Sequence, residues 1–300
     1  MDICLVGIGK IARDQHVPAL EASSDWQLAA TVSRSGRVEG VPAFDDFDRF
    51  LDESDCPVVS LCMPPVPRYD YAARAIAAGR HVMLEKPPGA TLAEVHALQD
   101  RAAAKGVVLF ATWHSRMAAG VAPARDWLAD KRIERLHITW REDVRKWHPG
   151  QDWVFEPGGM GVFDPGINAL SILTGILPAP VFLREAELSF PANRATPIAA
   201  DLTFTGGVTA EFDWRQEGPQ TWAIRAETDG GLLELDAGGA VLRIDGTEMD
   251  VGPNREYPAL YARMADCVAQ GRSDVDLAPM VHVADAMTLG RRVTVEPFDF

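Results

Sequence analysis

The chain has 300 residues, 47% of them hydrophobic, enough for two domains with cores of their own. Its net charge of -14 is spread along the sequence with no basic run longer than Lys131-Arg132. That excludes a nucleic-acid or anionic-membrane surface and leaves a small polar molecule as the expected partner.

Cys4, Cys56, Cys62 and Cys267 are scattered, lack the spacing of a metal site, and read as buried reduced thiols. No signal peptide or spanning segment is visible, so a cytoplasmic protein without a metal is expected.

The chain opens with a short apolar strand, Ile3 to Val6, that runs into Gly7-Ile8-Gly9-Lys10-Ile11-Ala12 and then a helix. This is the G-x-G-x-x-A form of the dinucleotide fingerprint, in which Gly7 and Gly9 admit a pyrophosphate close to the backbone of Lys10 and Ile11. A second strand, Leu28 to Val32, ends in Ser33-Arg34-Ser35 with Arg37 close behind. A carboxylate at that place holds the ribose hydroxyls of NAD, whereas a guanidinium flanked by hydroxyls suits the 2′-phosphate of NADP. NADP is the expected cofactor, with NAD as the alternative.

Strand and helix signals then alternate: Val58 to Cys62 ending in Met63-Pro64-Pro65, a helix over Tyr71 to Ala78, a strand at His81 to Leu84, a helix over Leu92 to Lys105, and a strand at Val107 to Thr112. This rhythm implies a doubly wound parallel sheet, with ligands at the carboxyl ends of its strands. At those ends stand Pro64, Glu85-Lys86-Pro87-Pro88, and Trp113-His114. Pro64, Glu85 and Lys86 are placed at the cofactor, with Lys86 also a candidate for the chemistry. Residues 1–117 form this dinucleotide-binding domain and residues 118–300 a second, substrate-binding domain.

In the second domain, alternating runs at Arg135 to Arg141, Ala186 to Phe190, Ala200 to Phe204, Val208 to Trp214, Trp222 to Thr228, Leu232 to Asp236 and Ala240 to Ile244 predict a mostly antiparallel open sheet. Helices over Tyr257 to Val268 and Pro279 to Arg291 complete the chain and return it toward the first domain. One face of such a sheet takes its covering helices, and the other is open to solvent, ligand or a partner. Between the first of these strands and the glycines that follow, Glu142 to Trp153 interleaves charges with two tryptophans. Hydroxyls of a sugar take charged partners while its C–H face packs on an aromatic ring, so His148 and Trp153, with Trp113 and His114, are the expected sugar contacts.

Gly158-Gly159-Met160-Gly161-Val162-Phe163-Asp164-Pro165-Gly166-Ile167-Asn168 follows. Its glycines allow positive φ or close approach to a ligand, and with Pro165 as first helical residue Asp164 is placed as N-cap. Asn168, four residues on, shares its face.

The G-x-G-x-x-A, E-K-P and G-G-x-G-x-x-D-x-x-x-N motifs together resemble the Gfo/Idh/MocA oxidoreductases, along nearly the whole chain. Lys10-Ile11-Ala12-Arg13 with His16 following, Glu85-Lys86-Pro87-Pro88, Thr112-Trp113-His114-Ser115-Arg116 and the run from Trp140 to Asn168 are most similar to members that oxidise L-arabinose or D-galactose at C1. The resemblance implies an aldose 1-dehydrogenase forming an aldonolactone, and contacts between subunits through the open sheet face of a homo-oligomer. Many members carry His where this chain has Asn168, which removes the usual proton acceptor. Asp164 and Lys86 compete for that role: a carboxylate needs only geometry, whereas an ammonium must first lose a proton. Asp164 is assigned as base, Lys86 as the cation that steadies the C1 oxygen, and Asn168 as a group that orients a hydroxyl. Oxidation at another ring carbon, a redox-assisted glycosidase, and a non-catalytic sugar or cofactor sensor are the competing readings.

Overall fold

The computed structural model describes all 300 residues. Packing divides them into two compact units, Met1–Trp113 with Tyr257–Asp276, and His114–Glu256 with Leu277–Phe300. The segment Tyr257–Asp276, read from sequence as part of the second half, thus packs with the first.

The first unit holds a six-stranded sheet made of β1 (Asp2–Val6), β2 (Gln27–Val32), β3 (Ala43–Phe44), β4 (Val58–Leu61), β5 (His81–Leu84) and β6 (Leu109–Ala111) in the order β3-β2-β1-β4-β5-β6. Every pairing is parallel. After β1 the chain makes a wide π-type turn, Ala12–His16, before α1 (Val17–Glu21). Helices α2 (Phe47–Glu53), α3 (Pro65–Ala77) and α4 (Leu92–Lys105) make the crossovers.

Helix α3 starts six residues before the expected Tyr71, because Pro65 sits at the first helical position, where a missing N–H leaves nothing unsatisfied. Helix α4 keeps its expected bounds, set by the Thr91/Glu94 capping box and by Gly106 at φ 71°. The strands β1, β4 and β5 bury nearly every side chain, and Val6, Leu61 and Leu84 join Ala72, Ile76 and Leu98 in one core. The short β3 and α2 carry too little periodicity to be read from sequence.

The second unit contains α5 (Val121–Leu128), β7 (Ile133–Arg141), α6 (Val144–Trp147), α7 (Phe163–Ile176), and then β8 (Leu183–Pro191) and β9 (Ala199–Phe204). There follow β10 (Val208–Asp213), β11 (Thr221–Thr228), β12 (Gly231–Asp236), β13 (Val241–Ile244), β14 (Thr247–Glu248), α9 (Ala278–Leu289) and β15 (Arg291–Val295). Helix α8 (Glu256–Gln270) lies almost wholly in the first unit. The nine strands are ordered β14-β13-β12-β11-β7-β10-β9-β8-β15 and are antiparallel except for β7/β10 and β8/β15. Leu136, Ile138 and Trp140 of β7 point into the core, where α7 packs, while Arg135, His137 and Arg141 alternate to the other face.

Candidate functional site

The first unit presents the carboxyl ends of its strands. Gly7 follows β1 at φ 90°, and a Cβ added there would lie 3.0 Å from the Met63 backbone N. Gly9 differs: a Cβ there would meet nothing within 4 Å. Gly7 is therefore required by the fold, whereas the space beside Gly9 is free for a ligand next to the first turn of a helix, whose N–H groups favour anions. Lys10 is exposed and ion-paired with Asp14 one turn on, and Ile11 is exposed at the start of the helix.

At the end of β2, Ser33 Oγ accepts from Gly36 N, and Arg37 donates to the carbonyls of Ser33 and Gly36 at 2.6 and 2.8 Å. Arg37 thus shapes the loop, while Arg34 stays exposed without a hydrogen bond to the protein. The loop after β2 leaves the Arg34 guanidinium exposed beside a turn held by Ser33 and Arg37.

Pro64 is exposed at the end of β4, and Lys86 is half-buried at the end of β5, joined to Pro87 by a cis peptide. Beneath them Arg68, 2% exposed, donates to the carbonyls of Met63, Glu85 and Pro87 and ties the two strand ends together. Sequence offers no signal for this clamp, since an Arg in the first turns of a helix is usually solvated.

Glu85, assigned to the cofactor, is instead buried and occupied within the protein. It accepts from Tyr257 Oη at 2.8 Å, lies 3.1 Å from His16 Nε2, and takes the Lys86 backbone N–H at 2.7 Å. His16 Nδ1 meets Tyr261 Oη at 2.7 Å. Burial alone would lower the His16 pKa, but Cys62, Tyr261 and Glu85 outweigh it and hold the ring well above its ordinary value. A buried network thereby links the π-type turn after the glycines to the strand end that carries Lys86.

Trp113, expected at a sugar, is 4% exposed and donates its indole N–H to the Asp276 carbonyl at 2.9 Å, so it serves as core. All four cysteines are free and buried, and no group of His, Cys, Asp and Glu is arranged to hold a metal.

In the second unit the glycine-rich stretch closes on the protein itself. A Cβ on Gly159 would sit 2.4 Å from the Trp153 carbonyl, and one on Gly161, at φ 55°, would sit 2.2 Å from that of Pro197. The tight turn starts α7 at Phe163, whose ring meets Phe212 edge-on, so Asp164 is the second helical residue and not the expected N-cap. Its own N–H is bound by the Gly161 carbonyl at 2.9 Å. The carboxylate is thereby available to a tertiary partner, and Oδ2 lies 3.0 Å from His148 Nε2.

His148 ends α6, whose first turn is capped by Asp143, and its ring stands edge-on to Trp153 and Trp214. Trp153 donates to Gln151 Oε1 at 3.1 Å. Asn168 is half-buried one turn beyond Asp164, and its carbonyl accepts from Ser171 Oγ. His114 bonds Glu256 at 2.6 Å. Burial raises the Glu256 pKa, but His114 and Asn254 outweigh that effect and leave it below the usual carboxylate range.

Glu142 was legible only as one charge in a mixed loop. It is 6% exposed and accepts from two indoles, Trp214 Nε1 at 3.1 Å and Trp222 Nε1 at 3.0 Å. Trp222 also stacks on Trp140 at 5.7 Å. This aromatic wall joins residues far apart in sequence, so spacing could not reveal it. The unit thus brings together His148, Trp153, Asp164 and Trp214.

The strand order of the first unit, with a glycine turn at the end of β1, defines a dinucleotide-binding protein of the Rossmann class. Residues 1–112 match the model of the Gfo/Idh/MocA oxidoreductase family with an NAD-binding Rossmann fold. Galactose 1-dehydrogenase of Pseudomonas fluorescens is 43% identical over 302 residues, covering 98% of this chain and 97% of that protein. The chain therefore belongs to the Gfo/Idh/MocA oxidoreductases.

The crystal structure of a D-galactose-1-dehydrogenase protein from Rhizobium etli has a TM-score of 0.95 and 53% identity over 99% of this chain and 97% of that one. A 3-ketoreductase from Actinomadura kijaniata, solved with NADP and TDP-benzene, has a TM-score of 0.83 at 19% identity over 98% and 99% of the two chains. At that identity it shows the shared fold alone.

Proposed function

We propose that the chain is an aldose 1-dehydrogenase that oxidises D-galactose or L-arabinose at C1 to the aldonolactone, with NADP as preferred acceptor. The observation that carries this reading is the full-length likeness to a galactose 1-dehydrogenase. When bound, the nicotinamide dinucleotide takes the hydride from C1. Gly9 leaves room for the pyrophosphate beside the backbone of Lys10 and Ile11, and Ser33 and Arg34 take the 2′-phosphate.

Lys86 holds the C1 oxygen and steadies its developing negative charge, and Asp164 accepts the hydroxyl proton. Asn168 and His114 orient other hydroxyls, and Trp153 offers its indole face to the C–H side of the ring. The support for Arg34 is that its guanidinium is exposed beside two serines with no protein partner, while Arg37 is bound by its own loop. Glu85 acts from behind Lys86, through the hydrogen bond to its backbone N–H. The open face of the nine-stranded sheet carries subunit contacts in a homo-oligomer. No helix is long and apolar enough to cross a membrane, and the buried reduced thiols suit the cytoplasm.

A screen of aldoses, each with NAD and with NADP, followed by reduced-cofactor absorbance, tests the reading. Turnover of D-galactose or L-arabinose with lactone as product is expected. A product oxidised at another carbon, or no turnover of any aldose, would overturn it.

A further inference from the structure

The contacts around His148 fix where its hydrogens lie. An indole N–H can only donate, so the atom of Gln151 that faces Trp153 Nε1 at 3.1 Å is the amide oxygen. That oxygen also lies 3.3 Å from His148 Nδ1, which must therefore carry a hydrogen to bond it. A neutral ring protonated at Nδ1 has a bare lone pair at Nε2, and this nitrogen faces Asp164 Oδ2 at 3.0 Å. Two lone pairs at that distance repel, whereas one proton between them makes a charge-assisted hydrogen bond.

We propose that His148 and Asp164 share one proton and work as a single acceptor, so that the proton leaving the sugar hydroxyl arrives at Asp164 and ends on His148 Nε2. The proposal rests on the aldose dehydrogenase reading and completes its proton path. In acid the shared proton occupies the gap and the pair cannot accept another; above the acidic limb the pair has lost that proton to water and is ready to take one from the sugar. Oxidation breaks the O–H and C–H bonds at C1: the electron pair of the C–H bond leaves as hydride to the oxidised dinucleotide, and a C=O bond forms. The hydroxyl proton passes to the Asp164 carboxylate and on to Nε2, and it returns to water after the lactone leaves.

An imidazole titrates near neutral pH and is better matched to a working proton acceptor than an isolated carboxylate. Asn168 cannot titrate, so of the two side chains it is His148 that can hold the proton.

Asp164 faces the ring from α7, and Glu142 stands behind Trp214, whose indole it binds at 3.1 Å. On α6 itself Arg145 is paired with Asp143 and so is not aimed at the ring. Of these groups, the Asp164 carboxylate is the one that meets Nε2.

Two measurements test the pair. Nitrogen-15 NMR of the histidine-labelled protein, assigned with His148→Gln, should show a ring protonated at Nδ1 throughout, with Nε2 titrating. In Asp164→Asn the amide can donate to Nε2, so that titration should move to lower pH. A neutral ring carrying its proton on Nε2 overturns the proposal.

In kcat against pH with D-galactose and NADP, His148→Gln should shift the acidic limb down by about one pH unit or more, toward the carboxylate range. It should also cut plateau kcat at least about tenfold. A variant that folds, raises KM alone and keeps the wild-type limb also overturns it. If the wild type oxidises no aldose, the functional reading fails, and the NMR result still decides whether the proton is shared.

Discussion

At the scale of single residues, two glycines that look alike in sequence do opposite work. Gly9 faces open space and Gly161 faces the Pro197 carbonyl at positive φ. Gly9→Ala should therefore melt with the wild type but bind dinucleotide weakly, because its new methyl group stands where the pyrophosphate would come. Gly161→Ala should lose about 1 to 3 kcal/mol of stability through strain and overlap. Thermal melts and cofactor titration of both variants check the pair, and a destabilised Gly9→Ala would place that residue in the fold and not the site.

Lys86→Ala should lower kcat and kcat/KM together by at least about a hundredfold while the protein stays folded, since an interaction made in the transition state is lost. Near-normal turnover in Lys86→Ala would reject the site assignment. For Arg34→Ala, loss of a charge-assisted phosphate contact should weaken NADP roughly tenfold to a hundredfold and leave NAD unchanged. Equal weakening of both would remove Arg34 as the discriminator.

At the scale of elements, the open sheet face shows what alternation alone conceals. Register sets Glu187 of β8 against Asp201 of β9, and Asp201 against Glu211 of β10, so three carboxylates lie in one row. Arg291 binds Glu187 and Arg141 binds Glu211, leaving Asp201 between two acids. Burial raises the Asp201 pKa, and Glu211 and Glu187 raise it further. A carboxylate whose folded pKa is raised binds its proton more tightly in the folded state. Its charge therefore works against folding above that raised pKa, and the penalty fades as pH falls through it. Asp201→Asn should melt at or above the wild type at neutral pH, with the difference vanishing in acid. A variant that melts lower at neutral pH would mean that Asp201 makes a contact outweighing the repulsion.

Elsewhere some elements match their sequence patterns to the residue, as the strand β5 and the helix α4 show. Periodicity is local, and each of these elements buries a regular face. The wide turn after Ile11 and the early start of α7 were not legible. The first depends on the buried partners of His16, and the second on the seating of Phe163 against Phe212.

At the scale of the whole molecule, the nine-stranded sheet leaves one charged face without helices, and subunit contact there has a direct test. Sedimentation equilibrium should give a mass above that of the monomer, and Ala223→Arg, in the middle of β11, should return the monomer. A monomeric wild type would end that proposal.

The amino-acid sequence by itself determined the alternation of the longer strands and helices, the place of the glycine turn, the fold class and the family, because these depend on spacing along the chain. Only the tertiary structure decided that Glu85 is a buried support, that Trp113 is core, and that Asp164 is free of a capping role and bonded to His148. The reason is physical. A side chain's partner is set by register and packing between residues far apart in sequence. The Asp164 carboxylate meets His148, sixteen residues earlier in the chain, through such packing and not through its place in the helix.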